Sequence, residues 1–198
     1  MSVTKANIIT FVNEALREAY SDTDLDVAIQ TCLNDLSKES LLTATDDSQS
    51  LVSGDTTLDC PTGFREIVAI TLTNASGNTN EPLEPLAGGH EDYRAIVLSG
   101  TSRGTPEYYS EFDDKFWLWP IPGAAFSAKI EHFKSHPQDV GNIEFNDDFA
   151  NVINFGTTYF KALIAAKMKY IDVWAPHYIF EKEAARLLIP QQPHIVRG

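Results

Sequence analysis

The chain has 198 residues, a formal net charge of −13, 43% apolar residues and two cysteines. That length builds one domain, or one domain carrying an insertion, and its core needs neither disulfide nor metal. The charge repels phosphate backbones and argues against general nucleic-acid binding, while the apolar and aromatic content argues against wholesale disorder.

Helix one is predicted to start after Thr4, a good N-cap, and to carry Ile8, Phe11, Val12, Ala15, Leu16 and Ala19 at spacings of three and four. After a break at Tyr20-Ser21-Asp22, helix two carries Leu25, Ile29, Cys32, Leu33 and Leu36, with Ser21 or Asp22 as its cap. The short connection predicts antiparallel packing of the two. From Thr43 to Asp55 the chain turns Thr/Asp/Ser-rich, and the apolar period changes from helical to two. Ile67 to Thr73 reads as a strand, Asn74 to Asn78 as a turn, Pro82 to Leu86 as extended chain and Glu91 to Leu98 as a short helix. Glu107 to Glu111 and Lys115 to Trp119 flank Asp113-Asp114 as a β-hairpin, closed by Pro120-Ile121-Pro122. Phe126 to Phe133 alternates as a half-buried strand.

Helical period resumes after Asn146-Asp147. A wide apolar stripe runs through Phe149, Val152, Ile153, Gly156, Tyr159, Phe160, Leu163 and Ile164, and Pro176 is expected to interrupt the helix near Trp174. A last helical stretch carries Ile179, Phe180, Ala184, Leu187 and Leu188. The remainder, with prolines at 190 and 193, reads as an extended tail, either disordered or folding onto a partner. The fold class is therefore α+β. A helical bundle (residues 1–42 and 145–188: two N-terminal helices plus a long broken C-terminal helix) holds an inserted antiparallel β-module (43–144), followed by an extended C-terminal arm (189–198).

Catalytic signals are weak. His90-Glu91-Asp92 lacks the second histidine of a zinc-hydrolase motif, and His132 and His136 straddle a strand end rather than a helix turn. Gly88-Gly89 and Gly100 to Gly104 do not match a phosphate loop, and no nucleophile elbow is present. Glu111, Asp113 and Asp114 sit at a hairpin tip, which is normally wet, whereas a general acid needs an apolar pocket. Cys32 and Cys60 show no metal-ligand spacing and read as small buried hydrophobes in a reducing compartment. No stretch reaches the ~20 apolar residues of a membrane span, and the N-terminus lacks the apolar run of a signal peptide. The reading is a non-enzyme that uses no cofactor and no metal, made in a cytosol. The alternatives are an interaction module that uses its tail as a peptide arm and, less favoured, a glycan hydrolase.

Several pieces in order resemble the adaptor, or head-tail connector, proteins of tailed bacteriophages, in particular the podovirus gatekeeper and tail-tubular-A-like group. They are an early helical pair with Val12-Asn13-Glu14-Ala15-Leu16, then Leu58 to Ile67 with its Pro61 and Phe64-Arg65, and Pro82-Leu83-Glu84-Pro85-Leu86. Gly104-Thr105-Pro106-Glu107-Tyr108-Tyr109, Phe116-Trp117-Leu118-Trp119-Pro120-Ile121-Pro122 and a helix with a break near Ala175-Pro176 follow. Tryptophans replace the family's aliphatics at 117 and 119, and Gly88-Gly89 has no counterpart. The resemblance implies a virion protein assembled in the host cytoplasm. It implies a ring of copies, expected to be dodecameric, below the portal protein, with a downstream tail or nozzle protein and with DNA passing through without specific binding. It implies a portal-binding arm at Ile189, Pro190, Gln191, Gln192, Pro193, His194, Ile195, Val196, Arg197 and Gly198.

A ring needs two different patches on each subunit. Phe112, Phe116, Trp117 and Trp119 are the candidates for a subunit or tail interface, because tryptophan is enriched at interface hot spots. On a strand, 117 and 119 share one face while 116 and 118 share the other. One face packs internally, and the other meets the bundle or the next subunit. Asp22, Asp24, Asp26, Asp46 and Asp47 are candidates to line or fringe the lumen, where acids let DNA slide because phosphate affinity comes from cations.

Overall fold

In a computed structural model, which describes residues 3–188, the chain forms two compact units, residues 3–42 with 134–188 and residues 43–133. The order is mixed α+β, helices at both ends and strands between. Helix α1 (Lys5–Leu16) starts at Thr4, whose hydroxyl accepts from the Asn7 amide, and ends where Arg17 turns left-handed. Its Ile8, Val12 and Leu16 face inward, and Ala19 lies beyond the helix. Helix α2 (Asp22–Lys38) starts at Ser21, whose amide and hydroxyl both donate to the Asp24 carboxylate.

The second unit opens with β1 (Thr43–Asp46), β2 (Ser50–Leu51), β3 (Thr57–Asp59) and the long β4 (Phe64–Asn74). The two-residue β5 (Glu84–Pro85) precedes helix α3 (Gly89–Ser99). Gly88-Gly89 start this helix. Gly89 takes φ 62°, and the Gly88 amide donates to the Asp92 carboxylate at 2.8 Å. Next come β6 (Arg103–Gly104), the hairpin β7 (Tyr108–Phe112) and β8 (Lys115–Trp119), β9 (Ile121–Pro122) and β10 (Phe126–Lys134).

Strand β10 pairs antiparallel with β1 and β2 and also pairs with β4, while β8 lies between β3 and β7. The hairpin turns on Asp113 and Asp114, both left-handed (φ 56° and 54°), as a two-residue hairpin loop requires. Two short pairings are parallel, β5 with β7 and β6 with β9. The latter corrects the expectation that the prolines stop pairing. β8 ends at Trp119, but Ile121-Pro122 at once find a new partner in Arg103-Gly104, and the Pro122 carbonyl accepts from the Gly54 amide. Alternation places Leu58, Ile70, Leu72, Phe116, Leu118, Phe126 and Ile130 in one apolar core.

The chain returns to the helical unit through a loop held by His136, whose Nε2 accepts from the Glu144 amide and whose own amide donates to Ser37. A 3₁₀ turn (Asp147–Phe149) leads into α4 (Ala150–Ile164) and α5 (Met168–Arg186). Helix α4 is the hub. It buries Val152, Ile153, Asn154, Gly156, Thr157, Thr158 and Ala162, positions spread around most of its circumference, and it packs on α1, α2 and α5. The expected α1–α2 pair is thus mainly two helices sharing α4 as a common neighbour.

The C-terminal helix is broken, but not at the proline. Ala166 is left-handed (φ 53°), the Lys167 amide bonds the Ala162 carbonyl and the Ala166 amide bonds that of Leu163, a Schellman end to α4. Pro176 lies inside α5 without ending it. Its position is exposed and so is Asp172 one turn back, so the carbonyl that loses its donor lies on the hydrated side. Alanine in the left-handed region costs what glycine does not. Ala166→Gly should therefore stabilise the helical unit by about 1 kcal/mol, read as a higher urea midpoint. An unchanged or lower midpoint would contradict that account of the break.

Candidate interaction surfaces

The tryptophan hairpin divides as strand geometry demands. Phe116 and Leu118 point into the β-unit core with Leu58 and Tyr109, and Phe116 is fully buried. Phe116 therefore offers no surface to a neighbour, which removes it from the expected interface set. Trp117 and Trp119 are half-buried on the other face, paired across the hairpin with Ser110 and Tyr108, and Phe112 is 53% exposed.

Helix α3 lies over part of this outer face. His90 stacks on Phe112 with ring centroids 4.2 Å apart, and Tyr93 and His90 approach Trp117 at 5.5 and 5.4 Å. The Trp117 indole N–H donates to the Phe112 carbonyl at 3.2 Å, and Ser110 Oγ lies 3.3 Å from His90 Nδ1. Trp117 is thus packed and hydrogen-bonded within its own unit. Trp119 lies outside this aromatic group, and with Phe112 it is the more available of the candidates. His90 serves as a stacking platform for Phe112 and Tyr93.

The hairpin-tip carboxylates Glu111, Asp113 and Asp114 are all exposed. Glu111 is largely at the surface. Its carboxyl is pushed above the ordinary range by partial burial, then by the Asp114 and Glu66 carboxylates. Cys60 beside it is pushed up to about 11 by burial and by Glu111, Asp114 and Asp59. Among the described residues no three His, Cys, Asp or Glu side chains converge as a metal site.

The acidic candidates separate between the units. Asp22, Asp24 and Asp26 lie at the start of α2. Asp24 closes the helix cap, and Asp26 pairs with Lys5 at 2.6 Å. Asp46 ends β1 and accepts from the Gln49 side-chain amide and from the Ser48 hydroxyl and backbone amide, which hold its carboxyl below the ordinary range, and Asp47 follows it, exposed. The arm, residues 189–198, lies outside the described residues.

The cations of the last helices meet acids of the first two. Lys161 donates to the Asp24 carbonyl and sits 4.3 Å over the Tyr20 ring, Lys167 pairs with Glu18, and Arg186 pairs with Glu39 and Glu183. Lys182 bridges Asp35 and Glu39, each at 2.8 Å, and the Tyr178 hydroxyl donates to Asp35 at 2.6 Å. These ion pairs stitch the late helices to the early ones.

One surface escaped the sequence reading. Ile179, Phe180, Leu187 and Leu188 of the last helical stretch all face outward, Phe180 at 71% and Leu187 at 77% exposure, while Tyr178 and Ala185 form the buried face. Leu163 and Ile164 of the α4 stripe are exposed as well. The signal was present, since a helix apolar on two opposite sides can bury only one of them in its own bundle.

No helix among the described residues is long and apolar enough to cross a membrane. Residues 2–188 match the model of a family described as SU10 adaptor protein. No curated protein matches the chain.

Proposed function

The chain belongs to the SU10 adaptor protein family of phage structural adaptors, and from that premise we propose that it forms a ring below the portal, extends the DNA channel and joins head to tail. Membership makes it a component of a virion that meets other head or tail proteins. The narrower likeness to gatekeeper and tail-tubular-A-like adaptors, a dodecameric ring and a downstream tail or nozzle protein belong to the proposal. The observation that carries it is the extent of the family match, which runs through both units from residue 2 to residue 188. Half-buried Trp119 and exposed Phe112 supply apolar surface for a heterologous contact. Exposed acids such as Asp22 and Asp47 suit a wall that DNA passes without sticking.

The arm at 189–198 is proposed to grip the portal. Mixing the full chain with purified portal and imaging the product by electron microscopy should show an added ring. Deleting residues 189–198 should weaken docking at least about tenfold, as expected when a segment that orders on binding is removed. Equal docking by the truncated chain would refute the arm, and no association of the full chain would refute the adaptor placement.

A further inference from the structure

We propose that the outward face of α5 docks a second copy of this chain, with the partner's α5 laid antiparallel across it. The face is defined by what the helix leaves out of its own core. At about 100° per residue, Val173, Pro176, Ile179, Phe180 and Leu187 fall on the side opposite Tyr178 and Ala185, and Met168 stands at the edge of that side. All six are exposed. Taking about 150–200 Å² for each fully exposed large side chain, they present roughly 600 Å² of apolar surface, the upper end for a monomer patch. Two such faces bury roughly 1,200 Å², the lower bound for a specific stable interface.

The charges on this face select both the partner and its direction. A net charge of −13 repels nucleic acid and anionic lipid surfaces, which leaves protein as the occupant. Lys169, Asp172 and Glu183 interrupt the apolar arc, and Arg186 stands at the same edge as Met168, all exposed. Lys169 and Glu183 stand seven residues to either side of Pro176. A second α5 crossing antiparallel at Pro176 sets each Lys169 against the other's Glu183 and each Val173 against the other's Ile179, and brings each Asp172 to the level of the other's Phe180. A parallel copy in register sets lysine on lysine and glutamate on glutamate, which is repulsive. Asp172 lies one helical turn from Lys169 on its own helix. The arrangement is self-complementary, as a two-fold interface must be.

This contact goes beyond the ring. A two-fold contact closes on itself and builds a dimer, whereas a ring needs two different patches. The α5 face therefore holds the free chain as a dimer, separately from any docking to the portal.

Sedimentation equilibrium of the full chain from about 1 µM to about 200 µM tests it. The expected result is a mass that doubles with concentration, a dimer constant weakened at least about tenfold by Phe180→Glu and also weakened by Lys169→Glu, and recovery to within about threefold of wild type in K169E/E183K. Far-UV circular dichroism checks that the surface variants fold. Should Phe180→Glu lose helicity, the Lys169/Glu183 exchange carries the test alone. A wild-type chain that stays monomeric throughout, a folded Phe180→Glu variant that associates as well as wild type, or a charge exchange that restores nothing overturns the proposal. None of these outcomes bears on portal docking, which the ring assay reads separately.

Discussion

Gly156→Val is expected to unfold the helical unit or leave it only marginally stable. Gly156 lies in the middle of α4, where this hub helix meets α2 and α5. A Cβ built there would stand 2.5 Å from Cys32 Sγ and 2.6 Å from Tyr178 Cε2, both far inside contact distance. Neither neighbour can yield cheaply. Cys32 is fully buried among Ile29, Leu33 and Ile153, and the Tyr178 ring is tethered through its hydroxyl to Asp35. Overpacking of this kind costs about 1–3 kcal/mol and more for a branched side chain, so about 3 kcal/mol or more is expected here. Gly156→Ala should lose less, because alanine regains about 1 kcal/mol of helix propensity. Urea unfolding followed by helical ellipticity checks both. A valine variant within about 0.5 kcal/mol of wild type, the usual spread for harmless surface changes, would mean that α4 sits further from its neighbours than described.

Asp35→Ala should be the next most damaging change, at about 2 kcal/mol. It removes the acceptor shared by the Tyr178 hydroxyl and the Lys182 ammonium, and leaves Lys182, only 17% exposed, with Glu39 alone. Tyr178→Phe alone should lose about 1 kcal/mol, and the double variant less than the sum, because both changes break one network. Strict additivity would show that the groups do not act together.

The same network sets an acid limit. Burial alone would raise the Asp35 carboxyl, but hydrogen bonds from Lys182 and Tyr178 outweigh it and hold the group below its ordinary range. Glu39 is lowered too, chiefly by its hydrogen bonds from Lys182 and Arg186. A carboxylate lowered by folding binds fewer protons folded than unfolded. Its contribution is therefore complete above the ordinary carboxylate range, about pH 4.5, and is lost as pH falls through the folded-state values. Wild type should lose stability steeply below about pH 4.5, and Asp35→Ala should show a shallower acid limb. Parallel limbs would remove Asp35 from the acid response.

Much of the fold was legible because local rules and tertiary structure agree. Thr4 and Ser21 cap where capping chemistry puts them, and Asp113-Asp114 turn the hairpin. Phe126, Ala128 and Ile130 alternate inward as their period demands. Proline chemistry misled twice. Pro176 rides inside α5 because its exposed side can hydrate the freed carbonyl, and the break falls at Ala166, which no helix-breaking residue marks. Ile121-Pro122 pair again because Arg103-Gly104 happen to lie alongside, a neighbour that spacing does not reveal.

The interaction surfaces were legible only in part. Period two says that Phe116 and Trp117 take opposite faces. It does not say which face the β-unit core claims, and the structure assigns it to Phe116 and Leu118, with α3 laid over Trp117. In α5 the pattern is apolar on both sides, so no moment points to the buried one. Tyr178 wins because Asp35 and Lys182 give its hydroxyl a partner and Gly156 makes room for its ring. What the residues alone determined is periodicity, capping and the order of elements, since those depend on neighbours within a few positions. Which of two apolar faces is buried, and which acid each lysine finds, was decided by contacts between segments more than a hundred residues apart, and only the folded chain brings those together.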